Sequence, residues 1–319
     1  MTRKLIAALL LAGAPLSPAF AQDGGAYTFS LDLSSEAFAG ARSRDVLAVQ
    51  ILLDRSRHSP GVIDGLSGGN TERAIRAYQR ANGLEVTGEL SQGLLDRLAD
   101  AHPGDLVRRH TLTEEEVSGP FVSVPDGFEA MAELDRLAYE RPSEKIAEKY
   151  HMDEDFLRAL NPDADFGRAG TEILIVQPGD EQIGQPVERI EIDKAARAVR
   201  AYAGDGTLLA TYPATVGSST FPSPSGSMTV NAVAPDATYH FNPSGRSWGP
   251  DRQITIAAGP NNPVGGIWID LSKDGYGIHG SPAPQLIGKT ASHGCVRLTN
   301  WDARELAQAV SQGTAVHFV

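Results

Sequence analysis

The chain contains, at residues 276–302, the stretch YGIHGSPAPQLIGKTASHGCVRLTNWD. Two motifs stand out within it, His279-Gly280 and Ser292-His293-Gly294-Cys295-Val296-Arg297. Cys295 is the only cysteine of the chain. A cysteine is nucleophilic as a thiolate, and a nearby histidine lowers the thiol pKa and accepts its proton. Alone, the cysteine would be expected to be a small buried hydrophobe and each histidine a core residue. Together, in this order, they indicate a cysteine–histidine catalytic site.

The residues around this pair supply the other parts that acyl transfer needs. A glycine such as Gly294 lets the backbone approach closely and offers an amide to the oxyanion of a tetrahedral intermediate. A third group must fix the tautomer of the histidine. The chain has neither an H-E-x-x-H motif nor a second cysteine, so we expect no metal site and no cofactor.

Both motifs closely resemble the active-site signature of the L,D-transpeptidase (YkuD) family, which is H-G, a gap, and then S-H-G-C-hydrophobic-R. The resemblance covers residues 186–319 and continues through Pro224-Ser225-Gly226, GPNNPVG at 259–265, Trp268-Ile269-Asp270 and Leu298-Thr299-Asn300-Trp301. It implies that Cys295 is the nucleophile, that His279 is its general base and that His293 shapes the site. It further implies oxyanion-hole amides from Gly294 and Cys295, histidine geometry held by Ser292 and Gly280, and site support or substrate-carboxylate binding by Arg297.

The same resemblance implies a substrate and a reaction. Cys295 would attack a peptidoglycan tetrapeptide stem, expel its terminal D-alanine and form a thioester. An amine of a second stem would resolve the thioester into a 3→3 cross-link, and carbapenems would acylate the same cysteine. Alternative acceptors are a protein, a free D-amino acid or water, which would give an L,D-carboxypeptidase, and some relatives cleave wall linkages. A non-catalytic peptidoglycan-binding protein is the alternative from another class, and the intact His279 and Cys295 argue against it.

Residues 186–319 are predicted to be mainly β. Ile190 and Ile192 alternate with charged residues, and further short strand candidates follow, separated by turn residues. One helix is predicted from Trp301 to about residue 312, with Thr299 or Asn300 as its cap. Many short strands with a single helix indicate a sandwich-like or barrel-like catalytic domain.

Residues 41–99 resemble a three-helix peptidoglycan-binding module. Apolar spacing predicts the first helix in RDVLAVQILLDRS, an N-cap at Thr71 predicts the second, and LEVTGELSQGLLDRL predicts the third. The matching positions include Gln50, Ile63-Asp64-Gly65, Tyr78-Gln79 and Asn82-Gly83-Leu84. Residues 65–69 also fit G-x-S-x-G, the serine-hydrolase elbow. That motif needs a strand before it and a helix directly after, so its place in a loop between helices excludes this interpretation.

The next two segments are predicted to be a linker at residues 100–135 and a small module at residues 136–180. In the linker, His102 and His110 are expected to be solvated. The module has two predicted helices, Asn161-Pro162 and a closing strand, and it resembles a degenerate LysM module whose first strand is weak. LysM modules bind glycans that contain N-acetylglucosamine, so the resemblance implies a second contact with peptidoglycan. A structural adaptor is the alternative.

The N-terminus is predicted to direct export. Residues 1–21 carry Arg3 and Lys4, then an apolar run, then Ala19-Phe20-Ala21, which is the order of a secretory signal peptide. The run is shorter than the about 20 residues that a membrane span needs, and no later stretch could cross a membrane. Residues 22–40 are small and polar, so we expect a flexible tail. These features predict a protein of the periplasm or cell wall.

The composition narrows the partners and the fold class. A formal net charge of −12 leaves no basic field for phosphates, so we expect no nucleic-acid partner. A length of 319 residues with 41% apolar residues suits several folded domains. The prediction is a multidomain α+β protein in which a three-helix module and a LysM-like module precede a mainly-β catalytic domain. Its expected partners are peptidoglycan stem peptides and glycan.

Overall fold

A computed structural model describes residues 27, 29, 31–244 and 247–319 of the chain. The signal peptide predicted at residues 1–21 lies outside these residues. Across the described ranges, no helix is long and apolar enough to cross a membrane.

The N-terminal elements are α1 (Arg44–Arg55), α2 (Gly69–Ala81), α3 (Gln92–Ala101), β1 (Val107–Thr111), α4 (Glu114–Val117), α5 (Phe128–Met131), α6 (Pro142–Lys149), α7 (Glu154–Leu160) and β2 (Glu172–Val176). The C-terminal elements are β3 (Arg189–Asp193), β4 (Ala198–Tyr202), β5 (Leu208–Pro213), β6 (Gly226–Pro235), β7 (Tyr239–Phe241), β8 (Ile254–Ile256), β9 (Ile267–Leu271), β10 (Gly277–His279), β11 (Val296–Arg297), α8 (Asn300–Ala309) and β12 (Ala315–Phe318).

The three helices predicted within residues 41–99 are present as α1, α2 and α3. A buried glutamine organises their junction. The Nε2 of Gln50 donates to Asp64 Oδ1 at 2.9 Å, and its Oε1 accepts the N–H of Gly65 at 2.8 Å, which pins the loop before α2. The predicted N-cap at Thr71 is wrong, because α2 begins at Gly69. Thr71 lies in the first turn, where its hydroxyl accepts a hydrogen bond from Gln50.

Strand β1 lies inside the segment predicted to be a linker, residues 100–135, so that prediction is wrong in this respect. β1 pairs with β2 in antiparallel register. The order expected of residues 136–180 was strand–helix–helix–strand. In the structure the first strand lies nearer the N-terminus, and the short helices α4 and α5 precede α6 and α7 between the two strands. The sequence of β1, VRRHT, has a single apolar residue, so hydrophobic alternation did not reveal it.

The same segment contains a cluster of polar side chains around the buried Glu116. His110 Nε2 lies 2.8 Å from Glu116 Oε2, and both side chains are largely covered, so His110 is not the solvated residue that was predicted. Lys149 Nζ approaches the other carboxylate oxygen of Glu116 at 2.7 Å. Helix α4 is thereby fastened to β1 and to α6.

One hydrophobic core joins residues 33–112 with residues 146–176. It combines the apolar faces of α1, α2 and α3 with those of α6, α7 and β2. Leu33 and Ala37 are fully buried in it, so the later part of the tail predicted as flexible, residues 22–40, is packed. The three-helix module and the LysM-like module therefore form one folded unit, called the accessory unit below.

The C-terminal region is built on a single eight-stranded sheet in the order β11-β10-β9-β6-β12-β3-β4-β5. Neighbours pair antiparallel except β10 with β11 and β12 with β3, which are parallel. Helix α8 packs on β6, β9 and β10. Its cap at Thr299 is confirmed, and it ends at Ala309, earlier than predicted. The mainly-β catalytic fold is confirmed.

The sheet curls until its two edges meet. Just after β5, Thr215 exchanges backbone hydrogen bonds with Arg297 of β11, both at 2.9 Å. The N–H of Ser292 then donates to the carbonyl of Val216 at 2.8 Å. This closure gives the sheet a barrel-like form and places the segment that contains Cys295 between the two edges.

A small second core lies beside the sheet. The hairpin β7–β8 contributes Phe241 and Ile256, and residues 124–137 cover it with Phe128 and Leu137. The Phe128 ring lies 5.5 Å from that of Phe241. Part of the segment predicted as a linker therefore supports a hairpin of the catalytic domain.

The accessory unit and the catalytic domain meet at a buried histidine. His151 Nδ1 lies 3.1 Å from Asp54 Oδ2 of α1, and its ring stacks on Trp301 of α8 at 5.1 Å. Burial by itself would lower the pKa of His151. The charge and hydrogen bond of Asp54, with a further contribution from Glu181, raise it to about 10. The imidazolium therefore holds the two parts together at neutral pH.

This arrangement predicts a loss of stability at alkaline pH. Because the pKa of His151 is higher in the folded chain than the ordinary 6.5, its contribution is complete below about pH 6.5 and is lost as the pH rises through about 10. Burial also raises the pKa of Asp302 to about 8 and that of Glu305 to about 7, and both act in the same direction. We expect the thermal midpoints of the wild type and His151→Gln to converge between pH 7 and pH 10.

The control is His317→Gln, which removes a histidine far from this junction. Its midpoint should follow that of the wild type at every pH. A constant difference between the wild type and His151→Gln across the range would mean that His151 is not protonated in the folded chain.

Candidate active site

The two sequence motifs come together on adjacent strands. β10 ends at His279, and β11 begins directly after Cys295. The strands are parallel, with Ile278 opposite Val296 and His279 opposite Arg297. This register puts the histidine motif and the cysteine motif side by side at one edge of the sheet.

His279 is buried with a defined tautomer. Its exposed fraction is 4%, and its ring stacks on Trp268 at 5.5 Å. Nδ1 lies 2.7 Å from the carbonyl oxygen of Gly280. Because a carbonyl can only accept, Nδ1 carries the proton and Nε2 is the basic nitrogen.

The charge state of His279 follows from its surroundings. Burial lowers its pKa most, the charge of Arg297 lowers it further, and the hydrogen bond to Gly280 opposes them, so that the pKa falls to about 3. The imidazole is therefore neutral at pH 7. A neutral imidazole with Nδ1 already donating is in the state required of a general base.

The turn after His279 is braced from the accessory unit. A Cβ at Gly280 would overlap Asn300 Oδ1, so only glycine fits there. Asn300 Oδ1 accepts the N–H of Ser281 at 2.8 Å, and its Nδ2 donates to Glu148 Oε2 at 2.9 Å. Glu148 belongs to α6. A residue outside the catalytic domain thus holds the asparagine that shapes the turn carrying the Gly280 carbonyl.

The loop before Cys295 is held by two serine hydroxyls. Ser292 Oγ accepts the N–H of Gly294 at 3.1 Å and donates to the carbonyl of Cys295 at 2.5 Å. Ser223 Oγ donates to the carbonyl of Gly294 at 2.7 Å. Gly294 has φ +124°, a conformation that favours glycine, and the Tyr276 ring would contact any Cβ there. Cys295 is half-buried at the end of this loop.

These contacts alter two of the predicted roles. Ser292 braces the cysteine loop, and the geometry of His279 is held by Gly280. The amide of Gly294, which was expected to serve an oxyanion, is donated to Ser292 Oγ. In this structure that amide is engaged within the cysteine loop.

His293 forms an exposed wall beside the cysteine. Its ring stacks on Trp248 at 4.1 Å and lies 4.9 Å from Phe221. Trp248 belongs to the loop between β7 and β8, and its ring packs on Phe241. This arrangement agrees with a shaping role for His293. Sequence reasoning missed both aromatic partners, because they lie far away in the chain and carry no motif.

Arg297 lies close enough to Cys295 for their charges to interact. Burial lowers the pKa of this arginine, while Cys295 and Tyr239 raise it. Its Nε is buried and has no hydrogen-bond partner in the part of the chain that the structure describes. A guanidinium with an unused donor beside a thiol is suited to a carboxylate or to a developing negative charge. Over the described ranges, no group of three or more His, Cys, Asp or Glu side chains is placed to share a metal ion.

The catalytic region is thus a curled β-sheet domain with a cysteine and a histidine motif on adjacent edge strands. The family model described as "L,D-transpeptidase catalytic domain" matches residues 187–318. The one described as "Putative peptidoglycan binding domain" matches residues 42–98. The chain is 32% identical over 173 residues to "Putative L,D-transpeptidase YkuD" of Bacillus licheniformis, which is 54% of this chain and 90% of that protein. The chain therefore belongs to the L,D-transpeptidase (YkuD) family.

Other similarities are shorter. "Probable L,D-transpeptidase YbiS" of Escherichia coli is 40% identical over 74 residues, which is 23% of this chain and 24% of that protein. Among solved structures, L,D-transpeptidase 3 from Mycobacterium tuberculosis aligns with a TM-score of 0.35 and 19% identity, over 48% of this chain and 66% of that one. A TM-score this low supports no structural inference.

The brace at Gly280 predicts a specific sensitivity. In Gly280→Ala, the new Cβ must displace Asn300, which loses its bonds to Ser281 and Glu148. We expect the free energy of unfolding in urea to fall by about 2 kcal/mol, as for overpacking at a buried site. Gly93→Ala is the control, since Gly93 lies in α3 with open space around its Cβ position. Equal stability of the two variants would contradict the brace.

Proposed function

We propose that this chain is a peptidoglycan L,D-transpeptidase that forms 3→3 cross-links through a cysteine acyl-enzyme at Cys295. One observation carries the proposal: the buried His279 ends β10, and the half-buried Cys295 directly precedes β11, the parallel strand beside it. Membership of the family supports the reaction class. The peptidoglycan-binding match over residues 42–98 supports the substrate.

The first step forms the thioester. His279 Nε2 accepts the thiol proton, and the Cys295 sulfur attacks the carbonyl of the third residue of a tetrapeptide stem. The tetrahedral intermediate collapses with cleavage of the bond to the terminal D-alanine. The leaving amine takes the proton from His279, so the histidine returns to its neutral form.

The second step reverses these roles with a new amine. The side-chain amine of a diaminopimelate on another stem attacks the thioester carbonyl and gives up a proton to His279. Collapse expels the Cys295 sulfur, which takes the proton back from His279, and leaves an amide between the third residues of two stems. No net oxidation or hydrolysis occurs.

Arg297 is the proposed electrostatic partner of both steps. Its buried guanidinium beside Cys295 stabilises the thiolate, and its unused Nε–H suits a substrate carboxylate or the oxyanion. The Cys295 amide is the backbone donor that we assign to the oxyanion, since the Gly294 amide is engaged with Ser292.

The location and the accessory contacts complete the proposal. We assign the chain to the periplasm or cell wall on the basis of the signal-peptide pattern at residues 1–21. The unit formed by residues 33–176 is assigned to wall binding, with stem peptides and glycan as its ligands. Water as acceptor, giving an L,D-carboxypeptidase, is an outcome of the test below.

The product test incubates the full chain with purified disaccharide-tetrapeptide, beside Cys295→Ala. Mass spectrometry should show a dimer lighter by one D-alanine than two monomers, absent with the variant because no thioester can form. A tripeptide monomer as the only product would replace the transpeptidase by a carboxypeptidase. Turnover that persists in Cys295→Ala would reject the nucleophile.

The low pKa of His279 predicts the pH dependence of acylation. A histidine with an ordinary pKa of about 6.5 would be mostly protonated at pH 5 and would no longer accept the thiol proton. Because burial and Arg297 lower the pKa of His279 to about 3, its base form persists down to about pH 4. We expect the rate of Cys295 acylation by a carbapenem, followed by protein mass spectrometry, to show no acid limb near pH 6.5. A midpoint at that pH that disappears in His279→Gln would contradict the assignment.

A further inference from the structure

A groove separates the three-helix module from the edge of the catalytic sheet. It has a volume of about 170 Å³ and lies between α2 on one side and β4 and β5 on the other. Arg73, Arg76 and Arg80 line it from one face of α2, and Arg200 lines it from β4. Four arginines around one groove are notable in a chain of net charge −12.

Two of these four arginines are paired with carboxylates, and the other two have N–H donors without a partner among the described residues. Arg76 pairs with Glu72 at 2.9 Å, and Arg200 pairs with Glu191 at 2.7 Å. Arg80, in contrast, forms no ion pair and no side-chain hydrogen bond within the described ranges, and it is exposed. The Nε of Arg73 is buried and finds no acceptor in the same part of the chain. A buried donor without a partner is costly unless a ligand supplies the acceptor.

The groove is also lined by Asp193, which pairs with Arg200 at 3.1 Å, by Ser59, Asn70, Thr211 and Tyr212, and by small apolar side chains. Ala74 and Ala77 face the groove from α2, while Ala198 and Pro213 face it from the sheet. These residues leave room for methyl-sized groups between the guanidinium groups. The groove therefore suits a ligand that combines carboxylates with small side chains, rather than a bulky or aromatic one.

The groove is connected to the loop that joins the two active-site motifs. Arg73 donates to the carbonyl of Gly288 at 3.3 Å, and Arg197 donates to the same carbonyl at 3.2 Å. Asn70 Nδ2 donates to the carbonyl of Ile287 at 2.9 Å. Residues 281–291 lie between His279-Gly280 and the segment that begins at Ser292. The arginine with the unused Nε therefore touches this loop.

We propose that this groove is a second binding site for a peptidoglycan stem peptide, in which Arg80 and Arg73 bind its carboxylates. The chemistry that fits is an acidic peptide with alanine-sized side chains, and a stem peptide bears both features. This inference rests on the proposed peptidoglycan substrate. The site is distinct from the Cys295 cleft, and it lies where the accessory unit could hold one stem while the cleft processes another.

The test is isothermal titration of the full chain with the tripeptide L-alanyl-γ-D-glutamyl-diaminopimelate. We expect Arg80→Gln to weaken binding about tenfold, the scale of one lost charge-assisted hydrogen bond. Arg97→Gln is the matched control, because Arg97 is an exposed arginine of α3 in the same module and lies outside the groove. It should bind like the wild type. The same tripeptide with its carboxylates amidated should bind at least about tenfold more weakly.

Three results would overturn the proposal. Equal affinities of Arg80→Gln and Arg97→Gln would place the binding elsewhere. Undiminished binding of the amidated peptide would exclude recognition of carboxylates. Inorganic phosphate that binds as tightly as the tripeptide, and competes with it, would assign the groove to a phosphate-bearing polymer instead.

The titration tests the groove and the product test tests the transpeptidase, so each proposal can be rejected without the other. Loss of tripeptide binding in Arg80→Gln, with no turnover by the wild type, would keep the groove and reject the transpeptidase. Turnover by the wild type, with binding unaffected in Arg80→Gln, would reject the groove alone.

Discussion

The hydrogen bond from His279 Nδ1 to the carbonyl of Gly280 is the constraint on which the site depends. It defines which nitrogen is basic, and burial keeps that nitrogen unprotonated at neutral pH. The residue that supplies this carbonyl must be a glycine, because a Cβ at position 280 would overlap Asn300 Oδ1. Asn300 is held in turn by Glu148. One chain of contacts thus leads from a helix of the accessory unit to the ring of the histidine.

The accessory unit is consequently part of the catalytic architecture. Its core joins residues 33–112 with residues 146–176, and it reaches the catalytic domain at separate places: Glu148 at Asn300, His151 at Trp301, and Asn70 at the loop before Ser292. A module on a free tether could not make these contacts together. Residues 124–137 make a similar contribution, because they support the β7–β8 hairpin, whose connecting loop places Trp248 against His293.

The cysteine and the histidine are held by different means. His279 is placed by burial, stacking on Trp268 and a carbonyl acceptor. Cys295 is placed by a loop whose polar groups are satisfied by Ser292 and Ser223, which leaves the thiol half-buried. The difference suits their proposed tasks, since burial keeps the histidine unprotonated, whereas a nucleophile must reach a bulky substrate.

The sequence by itself determined the family, the two motifs, the three-helix module and the mainly-β character of residues 186–319, because each depends on local spacing or on a short signature. It did not reveal β1, whose five residues are mostly polar and become a strand only through pairing with β2, far along the chain. It could not show that the Gly294 amide and the Ser292 hydroxyl contact each other within the cysteine loop, since a donor's partner is decided in three dimensions. Tertiary structure alone decided that Glu148, Trp248 and Arg73 stand at or beside the active-site segments. Hydrophobic periodicity records which face of an element is buried, but it carries no information about which distant element covers that face.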